Sequence, residues 1–274
     1  MNAGAIAIPE ISESEFRKLS ALIYERCGIK LGPEKKALLQ SRLSKVLRKE
    51  GIPSYEDYYR RVISDRSGRE LIRLIDLITT NFTHFFREHQ HFQYLREHIL
   101  PEMRELGAKG IYIWSAGCAT GEEPYSIAIT LLESPGAMDW RKEILASDVS
   151  AQALEFAREG IYPEERLKGV PPEWRRKYFL KEGDRYRLKD RVRRMVEFRR
   201  LNLLSPPPWR ACFDVIFCRN VMIYFDQPTK RRVLGSLLQA LKPGGYLFVG
   251  HAESLLRLGD GFRYVKPSIY RRET

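Results

Sequence analysis

The stretch IYIWSAGCATG, residues 111–121, restricts the possible folds of this chain more than any other. Its first half is apolar and rich in β-branched and aromatic residues, and it ends in two glycines separated by small residues. This pattern is typical of a buried strand that runs into a tight loop. Glu122, Glu123 and Pro124 follow, and then an apolar helical run to Leu132. A strand, a glycine loop and a helix in this order predict a notch of nucleotide size, because glycines let backbone N–H groups approach a ligand closely.

Two carboxylates at the start of the predicted helix indicate what this notch does not bind. A helix N-terminus normally attracts phosphate, but Glu122 and Glu123 would repel a pyrophosphate there. The loop also differs from the G-x-G-x-x-G pattern of dinucleotide-binding folds. We therefore expect a cationic or zwitterionic ligand.

Downstream of residue 110, strand-like segments alternate with helical ones. Further strands are predicted over residues 143–146, 194–198, 213–220 and 246–250. This alternation predicts an α/β fold with a mostly parallel, Rossmann-like sheet and right-handed crossovers. Residues 162–194 interrupt the alternation, and we interpret them as an insertion with a helical start and a small antiparallel hairpin around Gly183-Asp184.

Four helical patterns precede this region and predict a small all-α domain over residues 1–78. Ser12 and Glu15 form a capping box before the first helix. The second helix carries a basic face that lies on a different arc from its leucine stripe. This face has two interpretations, a solvated surface or a docking face for an acidic partner. Its residues are Arg42, Lys45, Arg48 and Lys49.

Residues 79–100 are predicted to link this domain to the α/β domain at residues 101–274. Asn81 and Thr83 are turn and cap residues, and the apolar pattern after them indicates a helix that continues to about Ile99, before Pro101. His84, His91 and His98 share a face of this helix, but neighbours are about 10 Å apart along its axis. Because zinc binds nitrogen ligands at about 2 Å, one ion cannot collect all three, and no metal site is predicted.

The overall charge restricts the class of partner. Lys and Arg number 47 against 35 Asp and Glu, a net charge of +12 that favours nucleic acid, anionic lipid or an acidic protein surface. The four cysteines show no C-x-x-C pair, so reduced thiols are expected. The N-terminus lacks a basic signal-peptide region, and no segment approaches the roughly 20 apolar residues of a membrane span. We expect a cytoplasmic protein without membrane insertion.

Polar residues follow the predicted strands at the edge where parallel sheets bind ligands. Asp148 ends the second strand, where it is placed to accept hydrogen bonds from both ribose hydroxyls, and Asn202 and Asn220 follow later strands. The alternative role for Asp148 is to cap the next helix, where Ser150 competes. S-adenosylmethionine fits this site, because it has no phosphate and both its ammonium and its sulfonium prefer a nearby carboxylate. The turn Lys242-Pro243-Gly244-Gly245 before a strand is also common in methyltransferase sheets.

Several motifs together resemble one family, the CheR chemoreceptor glutamate methyltransferases of bacterial chemotaxis. They cover most of the chain from Thr79 onward, and the basic helical region and the insertion resemble the family's N-terminal domain and β-subdomain. The motifs are TTNFTHFFRE, AGCATGEEPYSIA, ASD, LNLL, FDVIFCRNVMIYFD and KPGGYLFVGHAES.

The resemblance implies a class I methyltransferase that uses S-adenosylmethionine, releases S-adenosylhomocysteine and forms methyl esters on glutamate side chains of the receptor's cytoplasmic helical bundle. It implies that Arg87 and Tyr224 orient the reacting groups. It also implies a second receptor contact, a C-terminal peptide added as a strand to the inserted β-subdomain. The cofactor-binding residues that it implies, together with the loop glycine, are Asn81, Thr83, Arg87, Gly117, Glu123, Asp148, Asn202, Leu203, Asn220 and Val221.

Two other functions are compatible with parts of the sequence. A nucleic-acid methyltransferase would suit the net charge, but Asn220-Val221-Met222-Ile223 lacks the prolines of Asn-Pro-Pro-Tyr. A cytosine-ring enzyme would need a nucleophilic cysteine, for which Cys218 is the candidate. A scaffold that binds S-adenosylmethionine without turnover is the non-enzymatic alternative.

Overall fold

The computed structural model describes residues 9–79, 82–255 and 261–273. The chain divides into two compact units. The first comprises residues 1–80 and the short segment 224–226, and the second comprises residues 81–223 and 227–274. Within the described ranges, no helix is long and apolar enough to cross a membrane.

The first unit is all-α, as the sequence predicts. The capping box is confirmed, because the Glu15 N–H donates to Ser12 Oγ at 3.2 Å and the Ser12 N–H donates to Glu15 Oε2 at 2.8 Å. The predicted stripe of the second helix is also buried, with Leu39, Leu43, Val46 and Leu47 in the core. Its helices are α1 (Glu13–Cys27), α2 (Lys36–Glu50), α3 (Tyr55–Ser64) and α4 (Arg69–Ile78), with a 3₁₀ turn (Pro33–Lys35) before α2.

Within residues 82–105, the linker helix begins later and ends later than the sequence predicts. The helix begins only at Gln90, because Phe86 and Glu88 adopt positive φ values of 56° and 55°, which a right-handed helix cannot contain. It then runs as α5 (Gln90–Tyr94), a π-helical turn (Leu95–Ile99) and α6 (Leu100–Glu105).

The prediction that this helix ends before Pro101 is therefore wrong. In the π-helical turn the Leu100 N–H donates to the Leu95 carbonyl, five residues back. Pro101 then lies in the first turn of α6, where a missing N–H is tolerated.

The second unit contains a large sheet and a small one. The large sheet has the strand order β6-β2-β1-β7-β8-β10-β9 in the described part of the chain. In chain order the strands are β1 (Gly110–Ala116), β2 (Arg141–Asp148), β3 (Ile161–Pro163), β4 (Phe179–Glu182), β5 (Arg185–Leu188), β6 (Val196–Arg200), β7 (Phe213–Cys218), β8 (Leu241–Val249), β9 (Phe262–Lys266) and β10 (Ile269–Arg272). The remaining helices are α7 (Glu122–Leu132), α8 (Ala151–Glu159), α9 (Pro172–Tyr178), α10 (Asp190–Arg193) and α11 (Gln227–Ala240).

The large sheet is mostly parallel, which confirms the predicted fold class. Five neighbouring strands of this sheet pair in parallel, in the order β6, β2, β1, β7 and β8. Strand β10 pairs antiparallel with β8 and β9. The direction of strand order reverses between β1 and β7, which is where such sheets open a crevice for a ligand. Trp114, Phe213, Phe217 and Phe248 are buried in these central strands, and the rings of Phe217 and Phe248 stack at 4.5 Å.

The insertion forms a three-stranded antiparallel sheet in the order β3-β5-β4, with Gly183-Asp184 at the predicted hairpin turn. Tyr162 on β3 is fully buried, and its hydroxyl donates to the Thr120 carbonyl at 2.7 Å. Its ring meets Phe85 edge to face at 4.9 Å. The insertion therefore packs against the loop that follows β1 and supports it.

Candidate active site

The loop after β1 is held by the end of β2. The Gly117 and Cys118 N–H groups both donate to the Ser147 carbonyl, at 2.8 and 2.9 Å. The Ala119 N–H donates to Asp148 Oδ2 at 2.9 Å, and Asp148 Oδ1 accepts from the Ser150 N–H at 2.9 Å. Ser150 itself caps α8. Asp148 is half-buried, and these two hydrogen bonds orient its carboxylate at the end of β2. The competing role of helix cap belongs to Ser150.

Gly117 brings this loop against the end of β7. Its φ is 87°, and a Cβ there would lie 2.3 Å from Val221 Cγ2. Both the left-handed backbone and the close approach require glycine. The structure thus brings together two predicted cofactor residues, Gly117 and Val221, on the two sides of the switch point.

The two acidic residues at the start of α7 have different environments. Glu122 is fully buried, where it accepts from Thr120 Oγ1 at 2.7 Å and pairs with Arg166 Nη1 at 2.8 Å. Burial raises the pKa of Glu122, and Arg166 opposes this rise. Glu122 is committed to holding the loop to the insertion.

Glu123 belongs to a buried charge network centred on Arg219. Its Oε1 accepts from Ser115 Oγ at 2.7 Å, and its Oε2 lies 3.0 Å from Arg219 Nη1. Arg219, whose side chain is only 2% exposed, also lies 3.0 Å from Glu88 Oε2 and donates to the Arg87 carbonyl. Burial raises the pKa of Glu123 despite Arg219, whereas at Glu88 the nearby Arg219 and histidines outweigh burial and lower the pKa.

The segment before α5 contacts both α7 and the charge network around Arg219. The Phe86 N–H donates to Ser126 Oγ at 2.9 Å, and Arg166 Nη1 donates to the Thr83 carbonyl at 2.7 Å. Arg87 is half-buried, and its Nη1 donates to the Phe82 carbonyl at 3.0 Å. The predicted residues Thr83 and Arg87 are thereby connected to α7 and to Arg219, while Asn81 lies outside the described residues.

Asn220 occupies a strained position after β7. Its φ is 58°, and its N–H donates to Glu253 Oε2 at 2.8 Å. Glu253 also accepts from the N–H groups of Ile223 and Gly250, at 3.1 and 2.7 Å. A buried carboxylate therefore orders the turn that carries Asn220 and Val221. Such backbone strain is typical of ligand sites.

The other predicted site residues lie in two places, after β6 and in the first unit. After β6, Asn202 and Leu203 are half-buried, and Asn202 Oδ1 accepts from the Leu204 N–H at 3.0 Å. Tyr224 belongs to the first unit, where its carbonyl accepts from the Lys30 N–H at 2.9 Å. The roles of these residues, like those of the other cofactor residues, stay predictions.

The basic face of α2 is less uniform than predicted. Arg42 is half-buried and donates to the Leu77 and Thr79 carbonyls at 2.9 and 3.1 Å, so it holds the end of α4. Lys45, Arg48 and Lys49 are exposed.

Arg219 is one of two site residues that sequence reasoning missed. The sequence did contain a signal for this residue, because Arg219 directly follows the apolar run FDVIFC. An arginine buried at the end of such a strand requires a carboxylate partner. Glu253 was missed as well, and its role as acceptor for three backbone N–H groups leaves no local sequence pattern.

The fold and the site together define the class of protein domain. A parallel sheet with its switch point at β1 and β7, a glycine loop after β1, and a carboxylate ending β2 are the features of a Rossmann-like methyltransferase domain. The family model "CheR methyltransferase, SAM binding domain" matches residues 81–270, and "CheR methyltransferase, all-alpha domain" matches residues 14–79.

Curated relatives match over nearly the whole chain. A "Chemotaxis protein methyltransferase" of Borreliella burgdorferi is 39% identical over 270 residues, 96% of this chain and 95% of that protein. That of Vibrio parahaemolyticus is 42% identical, covering 93% and 94%, and that of Escherichia coli K12 is 38% identical, covering 95% and 91%. The chain belongs to the CheR methyltransferase family, as the sequence motifs predict, and its cofactor is S-adenosylmethionine.

Proposed function

We propose that this protein transfers methyl groups from S-adenosylmethionine to glutamate side chains of chemoreceptors and forms methyl esters. Family membership and the names of the relatives support the reaction class. The observation that carries it is the meeting of Asp148, Glu123 and the Gly117 loop at the switch point of the sheet.

The residues present fit this cofactor. Asp148, oriented by two backbone N–H groups, is proposed to bind the ribose hydroxyls. Glu123 is proposed to face the methionine end, with its orientation set by Ser115 and Arg219. Gly117 leaves the crevice without a side chain where a Cβ would meet Val221. The Glu123 carboxylate in the first turn of α7 suits a ligand that carries positive charge and no phosphate.

The chemistry requires positioning more than acid–base catalysis. When bound, S-adenosylmethionine supplies an electrophilic methyl group. The receptor glutamate has a reference pKa near 4.3, so it is ionised at neutral pH and needs no general base. Arg87 and Tyr224 are proposed to orient the glutamate. Excluding water from the site would favour the reaction, because water stabilises the separated charges.

The environment of Cys218 weighs against methylation of cytosine. Cys218 is fully buried, and its pKa is raised far above the ordinary value, mainly by that burial. A protonated, inaccessible thiol cannot attack a base.

The decisive experiment is a methyl-transfer assay. The protein is incubated with tritiated S-adenosylmethionine and a panel of receptor cytoplasmic fragments, and base-labile methyl ester is counted. Fragments whose candidate glutamates are changed to alanine serve as controls. Label on RNA or DNA instead of protein would support the nucleic-acid alternative, and cofactor binding without any label would support the scaffold.

The exposed part of the α2 face is proposed to attract the acidic receptor helices. The variant Lys45→Glu/Lys49→Glu should slow receptor methylation and leave cofactor affinity unchanged. Arg66→Glu/Arg69→Glu, which reverses two other exposed cations of the same unit, is the matched control. Arg42 is excluded from the variant because it holds the end of α4. Equal losses in both variants would refute a specific docking face.

The inserted sheet is proposed to hold a C-terminal receptor peptide. Its edge strand β4 has an exposed Leu180, and edge strands accept an added strand through backbone hydrogen bonds. The tether would raise the local concentration of receptor. A Leu180→Pro variant should lose peptide affinity, measured by fluorescence anisotropy, while methylating untethered fragments normally.

A further inference from the structure

A cluster of three potential metal ligands lies at the beginning of α5, beside the proposed active site. Glu88 precedes this helix, His91 lies in its first turn, and His251 follows β8. His91 Nδ1 is 3.6 Å and His251 Nε2 is 3.9 Å from Glu88 Oε2, and one ligand atom from each residue lies within 4.8 Å of the others. Two ligands of a tetrahedral zinc ion lie about 3.3–3.6 Å apart, given bonds of about 2.0–2.2 Å. Small side-chain movements would close this difference.

The buried imidazole of His91 lacks hydrogen-bond partners among the described residues. His91 is only 1% exposed, yet neither of its ring nitrogens has a hydrogen-bond partner among the described residues. Glu88 differs, because its Oε2 is paired with Arg219 Nη2 at 3.0 Å. A buried polar group without a partner costs about 1–3 kcal/mol. A buried imidazole whose two nitrogens both lack a partner, and which faces a carboxylate, therefore indicates a missing bound species.

The surroundings favour a metal ion with an open coordination position. The side chain of His251 is 53% exposed, and a cavity of about 580 Å³ lined by His91, His251, Tyr94 and Lys266 lies next to the cluster. An ion can therefore enter and keep a water ligand. Arg219 and Lys266 oppose a cation, but Glu123 balances Arg219 at 3.0 Å. Two imidazoles with one carboxylate suit zinc and its neighbours in the transition series better than magnesium or calcium.

We propose that Glu88, His91 and His251 form a binding site for one divalent transition-metal ion, zinc by preference, with the fourth position open to solvent. The sequence prediction of no metal concerned His84, His91 and His98, which one helix face cannot bring together. The tertiary structure instead brings His251 to His91, with ring centroids 5.5 Å apart.

The test uses the tag-free full chain after removal of metals by dialysis against EDTA. Cobalt is titrated while the visible absorption of four- or five-coordinate cobalt is recorded, and zinc is then added to displace it. We expect one ion per chain, visible bands without thiolate charge-transfer absorption, and loss of the bands on addition of zinc.

Variants locate the site. His251→Ala changes an exposed side chain and should lower zinc affinity, measured by calorimetry, by at least about tenfold; His91→Gln should do the same. His89→Ala and His98→Ala, which change exposed histidines outside the cluster, should leave affinity unchanged. Absence of stoichiometric binding, thiolate bands, or equal affinity of His251→Ala and the unmodified chain would each overturn the proposal. The methyl-transfer assay is independent of these results, so it tests the proposed function separately.

Discussion

Replacing Arg219 by methionine tests the buried charge network, because it keeps an unbranched apolar side chain in place of the arginine stem and removes the charge. Arg219 lies 3.0 Å from both Glu88 and Glu123, whose side chains are 11% and 12% exposed. Removing one partner of a buried ion pair costs about 3–5 kcal/mol, since the remaining charge is left uncompensated in a medium that solvates it poorly. We expect a loss of this size in the free energy of unfolding at pH 7.

The loss should depend on pH with a defined sign. Burial already raises the pKa of Glu123, and removing Arg219 removes the charge that opposes this rise. A carboxyl whose pKa is raised on folding contributes stability that is present below its unfolded pKa, near 4.3, and is lost as pH rises through the folded pKa. The deficit of Arg219→Met should therefore be smallest near pH 4.5 and should grow towards pH 7.5.

Urea unfolding at both pH values measures these effects. Arg199→Met is the matched control, because Arg199 pairs with Glu197 at the shorter distance of 2.7 Å but both side chains are more than half exposed, and such pairs contribute about 0–1 kcal/mol. Adding Glu123→Gln to Arg219→Met should recover part of the stability. A deficit below about 1 kcal/mol, or one that does not change with pH, would refute the interpretation of Arg219 as a buried counter-ion.

Three further predictions concern the loop, the ribose site and the thiols. Gly117→Ala should abolish cofactor binding in calorimetry and cost more stability than Gly51→Ala, because both glycines have positive φ but only at Gly117 would a Cβ collide, with Val221. Asp148→Ala should weaken S-adenosylhomocysteine binding by about tenfold or more, as expected when a charged hydrogen-bond partner is lost, and an unchanged affinity would contradict the ribose assignment. Alkylation of the native protein at pH 8, followed by peptide mapping, should modify the half-buried Cys212 first, because burial raises the pKa of Cys27 to about 11 and those of Cys118 and Cys218 far above the ordinary value.

Local patterns in the sequence were sufficient for the fold class and for much of the site. The apolar run, glycines and acidic helix start of residues 111–124 predicted β1, its loop and α7, because strand periodicity and the conformational freedom of glycine are properties of short segments. The capping box of α1 and the hairpin at Gly183-Asp184 follow from the same kind of local information. The positions of Asp148 and Asn220 at strand ends were likewise visible in the alternation of strands and helices.

Tertiary structure decided which distant side chains meet. Arg219 pairs with Glu123, 96 residues away, and with Glu88, and His251 approaches His91, because strand order and turn geometry bring these segments to one edge of the sheet. The π-helical turn that leads from α5 into α6, with Leu95 and Ile99 buried, also has no local signal, because the sequence pattern predicts that the helix ends before Pro101. Periodicity shows which face of an element is buried, but the neighbour of that face is set by the whole fold, so the charge network and the metal-ligand cluster could be found only in three dimensions.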